Sequence, residues 1–334
     1  MKILVIGAGA IGGVTAAFMA KSGIDVTLVC KRRSVADTIR ESGLHIVGKR
    51  GDHFIKFKAA ANTSELNDKF DYCLIATKAY DLEAAAINAL PLLTPDGLVV
   101  SLQNGICTDT LVKIVGNERA AAAVITWSCT MCGDAHLEIT GEGGFIIGMV
   151  SGSIDPRMEK LKEAMDKMAP TTIADNILSQ IYSKLIINSG ITCGGAMTGQ
   201  TLGKMLVGRR ARLFFINIVK EDIAVANAMK LQVPPFGGKL DYYRFLNGDT
   251  LLSKLRRHVI LFIVGLKYRK LKSSSLTSLQ RGGKTEVDYL NGWISKKGAE
   301  LNIPTPVNDR VVKIIKEIES GQRKIRPDNL LDTL

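Results

Sequence analysis

The opening residues alternate between two hydrophobic periods. Lys2-Ile-Leu-Val-Ile6 is an apolar run of the kind carried by a strand buried on both faces, residues 11–22 repeat apolar positions at helical spacing, and residues 25–29 form a second short apolar run. The chain therefore begins strand, helix, strand. Residues 43–61 read as a pair of short strands around a turn at 49–52. Residues 70–76 read as a buried strand, 82–93 as a helix, Thr94-Pro-Asp-Gly97 as a turn, and 98–102 and 120–126 as further strands. From 128 to 149 the pattern breaks into glycine-separated strands, such as 137–140 and 145–148, which predicts antiparallel additions to the same sheet. Residues 156–168 are an amphipathic helix, and 173–175 close this part of the chain.

From residue 176 onward helical periodicity takes over. A first helix beginning near 176 carries Lys184, Asn188 and Thr192 at spacings of four, which stacks them on one face. A second helix spans 209–230 and is stopped by Val233-Pro-Pro-Phe-Gly-Gly238. Helical segments fill 239–269, Lys272-Ser-Ser-Ser275 reads as a polar loop, and 285–294 as a helix with Thr285 as its cap. Ile303-Pro-Thr-Pro306 is a rigid turn into a last helix at 307–319, and the tail after Ser320 is expected to be loosely held. At 334 residues, two domains follow: an α/β domain at 1–175 and an all-α domain at 176–334.

Composition narrows the classes. The longest apolar run, residues 259–266, is far shorter than the roughly 20 residues that span a bilayer, so no membrane segment is expected. The N-terminal apolar residues are consumed by the first strand, with no cleavable leader pattern, and a cytoplasmic location is expected. The cysteines at 30, 73, 107, 129, 132 and 193 read as reduced structural thiols. Cys129-x-x-Cys132 lacks the second pair that a zinc site needs, and the histidines at 45, 53, 136 and 258 supply no ligand spacing, so no metal is expected. The net charge is +12, yet the basic clusters at 31–33, 267–272 and 323–326 are scattered and lack interleaved aromatics. That disfavours a nucleic-acid surface and leaves anionic small molecules as the partners.

One stretch carries specific chemistry. Gly7-Ala8-Gly9-Ala10-Ile11-Gly12 directly follows the first strand and opens the first helix. In that setting the first glycine permits the tight turn, the second lets the backbone approach a pyrophosphate, and the third lets helix and strand pack closely. After the second strand, where an acid normally meets the ribose hydroxyls of NAD, stand Lys31, Arg32 and Arg33. A carboxylate would repel a 2′-phosphate and these cations attract it, which favours NADP(H). Lys78 and Asn104 follow strands whose carboxyl ends form the ligand edge of such sheets. Lys184 is a single cation among Ile181, Leu185, Ile186 and Ile187, where burial would depress its pKa. Glu286, in the first turn of its expected helix, also fits a plain dipole partner.

Taken together, Gly7-Ala-Gly-Ala-Ile-Gly-Gly13, Ala76-Thr-Lys-Ala-Tyr80, Leu102-Gln-Asn-Gly105, Lys184-Leu-Ile-Ile-Asn188 and Thr285-Glu-Val-Asp-Tyr-Leu-Asn-Gly292 resemble the ketopantoate reductase family over nearly the whole chain. The resemblance implies an N-terminal Rossmann dinucleotide-binding domain, an all-α C-terminal domain, an active site in the cleft between them, and NADPH-dependent reduction of ketopantoate to pantoate. It also implies that Lys184 is the catalytic lysine, that Glu286 is an active-site glutamate, and that Lys78 and Asn104 line the cleft. Asn104, Lys184, Asn188, Thr192 and Ser274 would hold substrate, with Ser275 in place of Ser274 if the loop shifts by one.

The sequence departs from the family on the substrate side. Thr192-Cys193-Gly194-Gly195 replaces an Asn-Pro, Gly283 an Arg, and Thr277-Ser278 a Gln-Asp. Thr192, Cys193 and the two glycines would then line a smaller, less polar wall. The alternatives are reduction of another branched or aromatic 2-keto acid, and a catalytically silent NADP(H) sensor. A monomer or a homodimer is expected.

Overall fold

Strand β1 (Lys2–Ile6) lies between β2 (Asp25–Val29) and β6 (Phe70–Ile75) and pairs with both in parallel, which explains why nearly all of its side chains are buried. The computed structural model describes residues 1–333, and the chain divides between Gln180 and Ile181 into two compact units.

In the first unit the remaining strands are β3 (Leu44–Gly48), β4 (His53–Ile55), β5 (Lys58–Ala60), β7 (Leu93–Ser101), β8 (Ala120–Ile125), β9 (Ser128–Gly133), β10 (His136–Gly141), β11 (Phe145–Met149) and β12 (Thr171–Ile173). The helices are α1 (Ala10–Lys21), α2 (Arg33–Glu41), α3 (Leu82–Ala89), α4 (Thr108–Val115) and α5 (Pro156–Asp166). The larger sheet has the order β12-β11-β8-β7-β6-β1-β2-β5, parallel throughout except where β11 meets β8. Because β1 is followed by β2 on one side and by β6 on the other, the strand order reverses at β1, the place where open α/β sheets hold ligands.

Three expectations need correction here. Residues 43–61 do supply a strand pair around a turn, but they also supply β5, whose backbone pairs with β2 at the edge of the larger sheet. Of the segment 128–149, only β11 joins that sheet. Strands β9 and β10 join β3 and β4 in a separate sheet of order β4-β3-β10-β9. Leu44, Ile46, Leu137 and Ile139 bury their apolar faces in the main core, so alternation gives no clue to which sheet these strands enter. Residues 94–97 continue β7 across a register shift against β6, rather than forming a separate turn.

The second unit is built from α6 (Ile177–Ile187, continuing from the first), α7 (Cys193–Thr198), α8 (Leu202–Val207), α9 (Arg209–Ala228), α10 (Tyr242–Leu246), α11 (Leu251–Lys267), α12 (Ser274–Gln280), α13 (Asn291–Glu300) and α14 (Pro306–Glu319). The serine-rich segment is no loop. Ser273 accepts the amide of Leu276 and starts α12 at Ser274. The helix expected over 285–294 is instead a 3-10 turn at Val287–Tyr289 followed by α13. Thr285 does cap, accepting the amide of Val287, while its own amide and hydroxyl are held by Glu319 at 2.7 Å. The tail is not loose. Asn329 is fully buried, donates to the carbonyls of Met197 and Lys324, and lies within a 3-10 turn at Pro327–Thr333.

Candidate active site

The glycine turn fits a dinucleotide in a way each glycine shows separately. Gly7 has φ +113°, and a Cβ there would lie 2.8 Å from the backbone of Ala76. A Cβ on Gly12 would lie 2.1 Å from the carbonyl oxygen of Gly7, so α1 approaches the turn as closely as backbone permits. Gly9 differs: a Cβ there meets nothing within 4 Å. It is the N-cap of α1, which carries no side-chain cap and no acidic residue in its first turn. Open space before uncapped amides at a helix N-terminus suits a pyrophosphate.

The neighbouring strands end level with this turn, since Ile6 is in register with Val29 and Ile75, and Ile75 with Ser101. Lys78, partly buried, opens the 3-10 turn Ala79–Asp81 just beyond β6, and Asn104, also partly buried, lies just beyond β7. The two ends are tied together: Ser101 donates to Gln103, which donates to Thr77 at 3.3 Å. The turn at Gly7 to Gly12, Lys78 and Asn104 thus belong to one carboxyl edge.

Beyond β2 the three basic residues separate. Lys31 is exposed, Arg33 pairs with Glu65, and Arg32 makes a two-pronged pair with Asp134, one prong at 2.7 Å. Sequence reading treated Arg32 as an open cation, and it missed Asp134 because 102 residues separate the partners. Both members of that pair are more than half exposed, so the bridge is weakly held and exchangeable. None of the six cysteines forms a disulfide, and burial pushes the thiols of Cys30 and Cys129 up to about 11 and about 12. Among the described residues no group of three or more His, Cys, Asp or Glu is placed to hold a metal ion.

In the second unit, Lys184 projects from α6. Its surroundings bury the ammonium and lower its pKa to about 8, while the charge of Glu286 pulls in the opposite direction. Glu286 is itself buried and precedes the 3-10 turn at Val287–Tyr289, its carbonyl accepting the amide of Tyr289. The structure therefore brings the two residues assigned to catalysis within electrostatic reach of one another. A lysine whose proton is held this weakly is suited to give it up near neutral pH.

The helix carrying Lys184 does not run on as expected. Residues Asn188–Thr192 form a π-helix turn before α7 resumes, and such insertions re-aim side chains. Asn188 and Thr192 remain neighbours, with Thr192 Oγ1 donating to Asn188 Oδ1 at 3.4 Å. Gly190 within the turn has its missing side chain's place taken by the Phe215 ring, 2.4 Å from a would-be Cβ. The expected wall of Cys193, Gly194 and Gly195 is corrected: all three are buried inside the unit. Cβ atoms on the two glycines would meet Met205 and Phe214, and Ser273, at 2.8–3.1 Å, so these glycines serve close packing. Helix α12 packs against the π-turn, but on it Ser274 is exposed and Ser275 buried, so the structure gives Ser274 no enclosed position.

What sequence reading missed is the support beneath this segment. Tyr182 donates its phenol to the main-chain oxygen of Asp222 at 2.7 Å, Ser183 donates to Pro234, and Tyr242 donates to the Ser183 carbonyl. On the far side of Lys184, Asn291 donates to the carbonyl of Ser189 and to Asn308, which donates in turn to Glu221 and Asp222. Burial drives the Asp222 carboxyl well above its usual range, despite the Asn308 bond that pulls the other way.

Two family models cover most of the chain: ketopantoate reductase PanE/ApbA matches residues 3–152 and its C-terminal counterpart matches 176–319. The 2-dehydropantoate 2-reductases of Pyrococcus horikoshii and Pyrococcus abyssi are each 28% identical, over 96% and 97% of this chain and 98% and 100% of theirs. A solved structure of a PanE/ApbA family ketopantoate reductase from Ralstonia eutropha JMP134 superposes with TM-score 0.82 at 26% identity, covering 97% of this chain and all of the other. A D-mandelate dehydrogenase solved with NADH and anilino(oxo)acetate shares the fold, with TM-score 0.81 at 23% identity over 96% of this chain and 99% of that one.

Proposed function

Given that this chain belongs to the ketopantoate reductase family, whose members are nicotinamide-dinucleotide-dependent oxidoreductases, we propose that it reduces the 2-keto group of ketopantoate to give pantoate, on the route to pantothenate and coenzyme A, with NADPH as the reductant. The observation that carries this reading is Lys184, its pKa lowered to about 8 and Glu286 within charge range. The bound nicotinamide supplies a hydride to the keto carbon. The chain's own residues do the rest.

As negative charge grows on the keto oxygen, the Lys184 ammonium stabilises it and donates the proton, and the carboxylate of Glu286 keeps that ammonium charged and oriented. The π-turn presents the amide and hydroxyl of Asn188 and Thr192 to the substrate's polar groups. Gly9 and the first amides of α1 hold the pyrophosphate, and Lys78 and Asn104 line the nicotinamide end of the same carboxyl edge. Lys31, joined by Arg32 once it exchanges Asp134 for phosphate, binds the 2′-phosphate of NADPH. A silent NADP(H) sensor has no need of a lysine kept near neutrality. The test is steady-state oxidation of NADPH and of NADH by the purified protein against ketopantoate and 2-ketoisovalerate, which differ by one hydroxymethyl group. Efficiency higher with ketopantoate and with NADPH supports the proposal. Equal use of the two keto acids moves it to a general branched 2-keto acid reductase, and no oxidation refutes it.

A further inference from the structure

Lys184 and Glu286 stand on segments far apart in sequence, and one side chain ties those segments together. Ser189, inside the π-turn, follows Lys184 by five residues, and Asn291 follows Glu286 by the same number. Asn291 Nδ2 donates to the Ser189 carbonyl at 3.4 Å and to Asn308 Oδ1 at 2.8 Å, and all three residues are fully buried. The direction of this chain is fixed from its far end. Glu221 accepts the main-chain amides of Val307 and Asn308 at the start of α14, at 2.8 and 3.0 Å, so it is committed as an acceptor. Asn308 must therefore turn its Nδ2 toward Glu221, at 2.8 Å, which leaves its oxygen for Asn291. Asn291 can meet that oxygen only with its own Nδ2, whose second hydrogen then faces Ser189.

This order is held against stability. Asn291 Oδ1 and Ser189 Oγ are buried with no hydrogen-bond partner among the described residues, as is Asp222 Oδ2. Buried polar atoms left unpaired destabilise a fold, and an amide kept under that penalty calls for another explanation. The donor end of Asn291 supplies one. A π-turn displaces the main-chain bonds of the helix it interrupts, and this one receives at Ser189 a donor from a different segment. Lys184 is held separately, because α6 is anchored just before it: Tyr182 donates to Asp222, Ser183 to Pro234, and Tyr242 to Ser183. We infer that Asn291 is a positioning residue, which holds the π-turn against the segment bearing Glu286 and so sets where Asn188 and Thr192 meet the substrate. The inference rests on the reduction proposed above. Lys184 and Glu286 then govern the chemical step, and Asn291 governs how well the keto acid binds.

The test compares the parent with Asn291→Ala in two measurements, at a temperature where circular dichroism shows both fully folded. In hydrogen–deuterium exchange, amides of residues 188–194 should exchange faster in the variant, while those of 178–184 keep the parent's rate. In NADPH oxidation with whichever of ketopantoate and 2-ketoisovalerate the parent reduces more efficiently, KM for the keto acid should rise by about three- to tenfold, with kcat and NADPH affinity within about twofold of the parent's. Should Asn291→Ala not fold, Asn308→Ser acts one step back along the chain and should shift KM in the same direction. Unchanged exchange at 188–194, an unchanged KM, or a kcat that falls as far as kcat/KM would each overturn the inference and leave the proposed reaction standing. A parent that oxidises NADPH with neither keto acid would remove the reaction, and this inference with it.

Discussion

The phenol of Tyr182 donates to the main-chain oxygen of Asp222 at 2.7 Å, fixing α6 to α9 two residues before the lysine that α6 presents. Both groups are buried, so Tyr182→Phe leaves a carbonyl without its donor and should cost about 1–3 kcal/mol of stability. Denaturant unfolding of the parent and variant measures it. A loss confined to stability, with Lys184 titrating as in the parent, would show that the contact holds the helix without setting the lysine.

The Lys184 ammonium is expected to titrate near pH 8 in the folded protein, against 10.5 for an ordinary lysine. Its folded pKa is the lower one, so between these values the unfolded chain binds a proton that the folded chain does not. The penalty for burying this lysine therefore fades as pH rises through that window, and folding is helped by the rise. With Lys184 as the proposed proton donor, activity should run the other way: kcat/KM for keto acid reduction should fall above about pH 8. Glu286→Gln removes the charge that supports the proton and should move this limb to lower pH. A pH–rate profile of each protein checks the direction.

The glycines of the turn separate folding from binding. Gly12→Ala drives a methyl into the Gly7 carbonyl and should lower the melting temperature sharply, whereas Gly9→Ala meets no protein atom and should melt like the parent. If the pyrophosphate approaches Gly9, that same methyl weakens dinucleotide binding, measured by nicotinamide fluorescence titration. Unchanged affinity in Gly9→Ala would place the cofactor elsewhere.

Much of this was legible from residues alone. The strand, glycine turn and helix at the N-terminus are local, and each apolar run there becomes a strand within a residue or two of its expected limits. The apolar setting of Lys184, which lowers its pKa, was legible too, from a lone cation in an apolar stretch. What could not be read depends on contacts distant in sequence. The π-turn at Asn188–Thr192 goes with the Phe215 ring filling the place of a Gly190 side chain, and nothing in the local sequence shows that ring. The supporting chain from Asp222 through Asn308 and Asn291 to Ser189 links residues as much as 102 positions apart. Likewise, Cys193-Gly-Gly195 reads as a small, open wall until the neighbours that fill it are known.

Cofactor choice gives a prediction that depends on the Arg32 to Asp134 pair. Lys31→Ala with Arg32→Ala should raise KM for NADPH far more than for NADH, by roughly 1.5–3 kcal/mol per lost charged hydrogen bond. Asp134→Ala frees the guanidinium and should lower KM for NADPH while leaving that for NADH nearly unchanged. Equal KM values for the two cofactors in the parent would contradict the assignment.

The most direct test of the account is turnover of ketopantoate with NADPH by the Lys184→Ala protein beside the parent, with NADPH affinity measured on both. The prediction is that the parent reduces ketopantoate, and that the variant loses about 100-fold or more in kcat while binding NADPH as tightly as before. A variant that turns over within a few-fold of the parent would contradict it, and Lys184 would then be a buried lysine with no part in the chemistry.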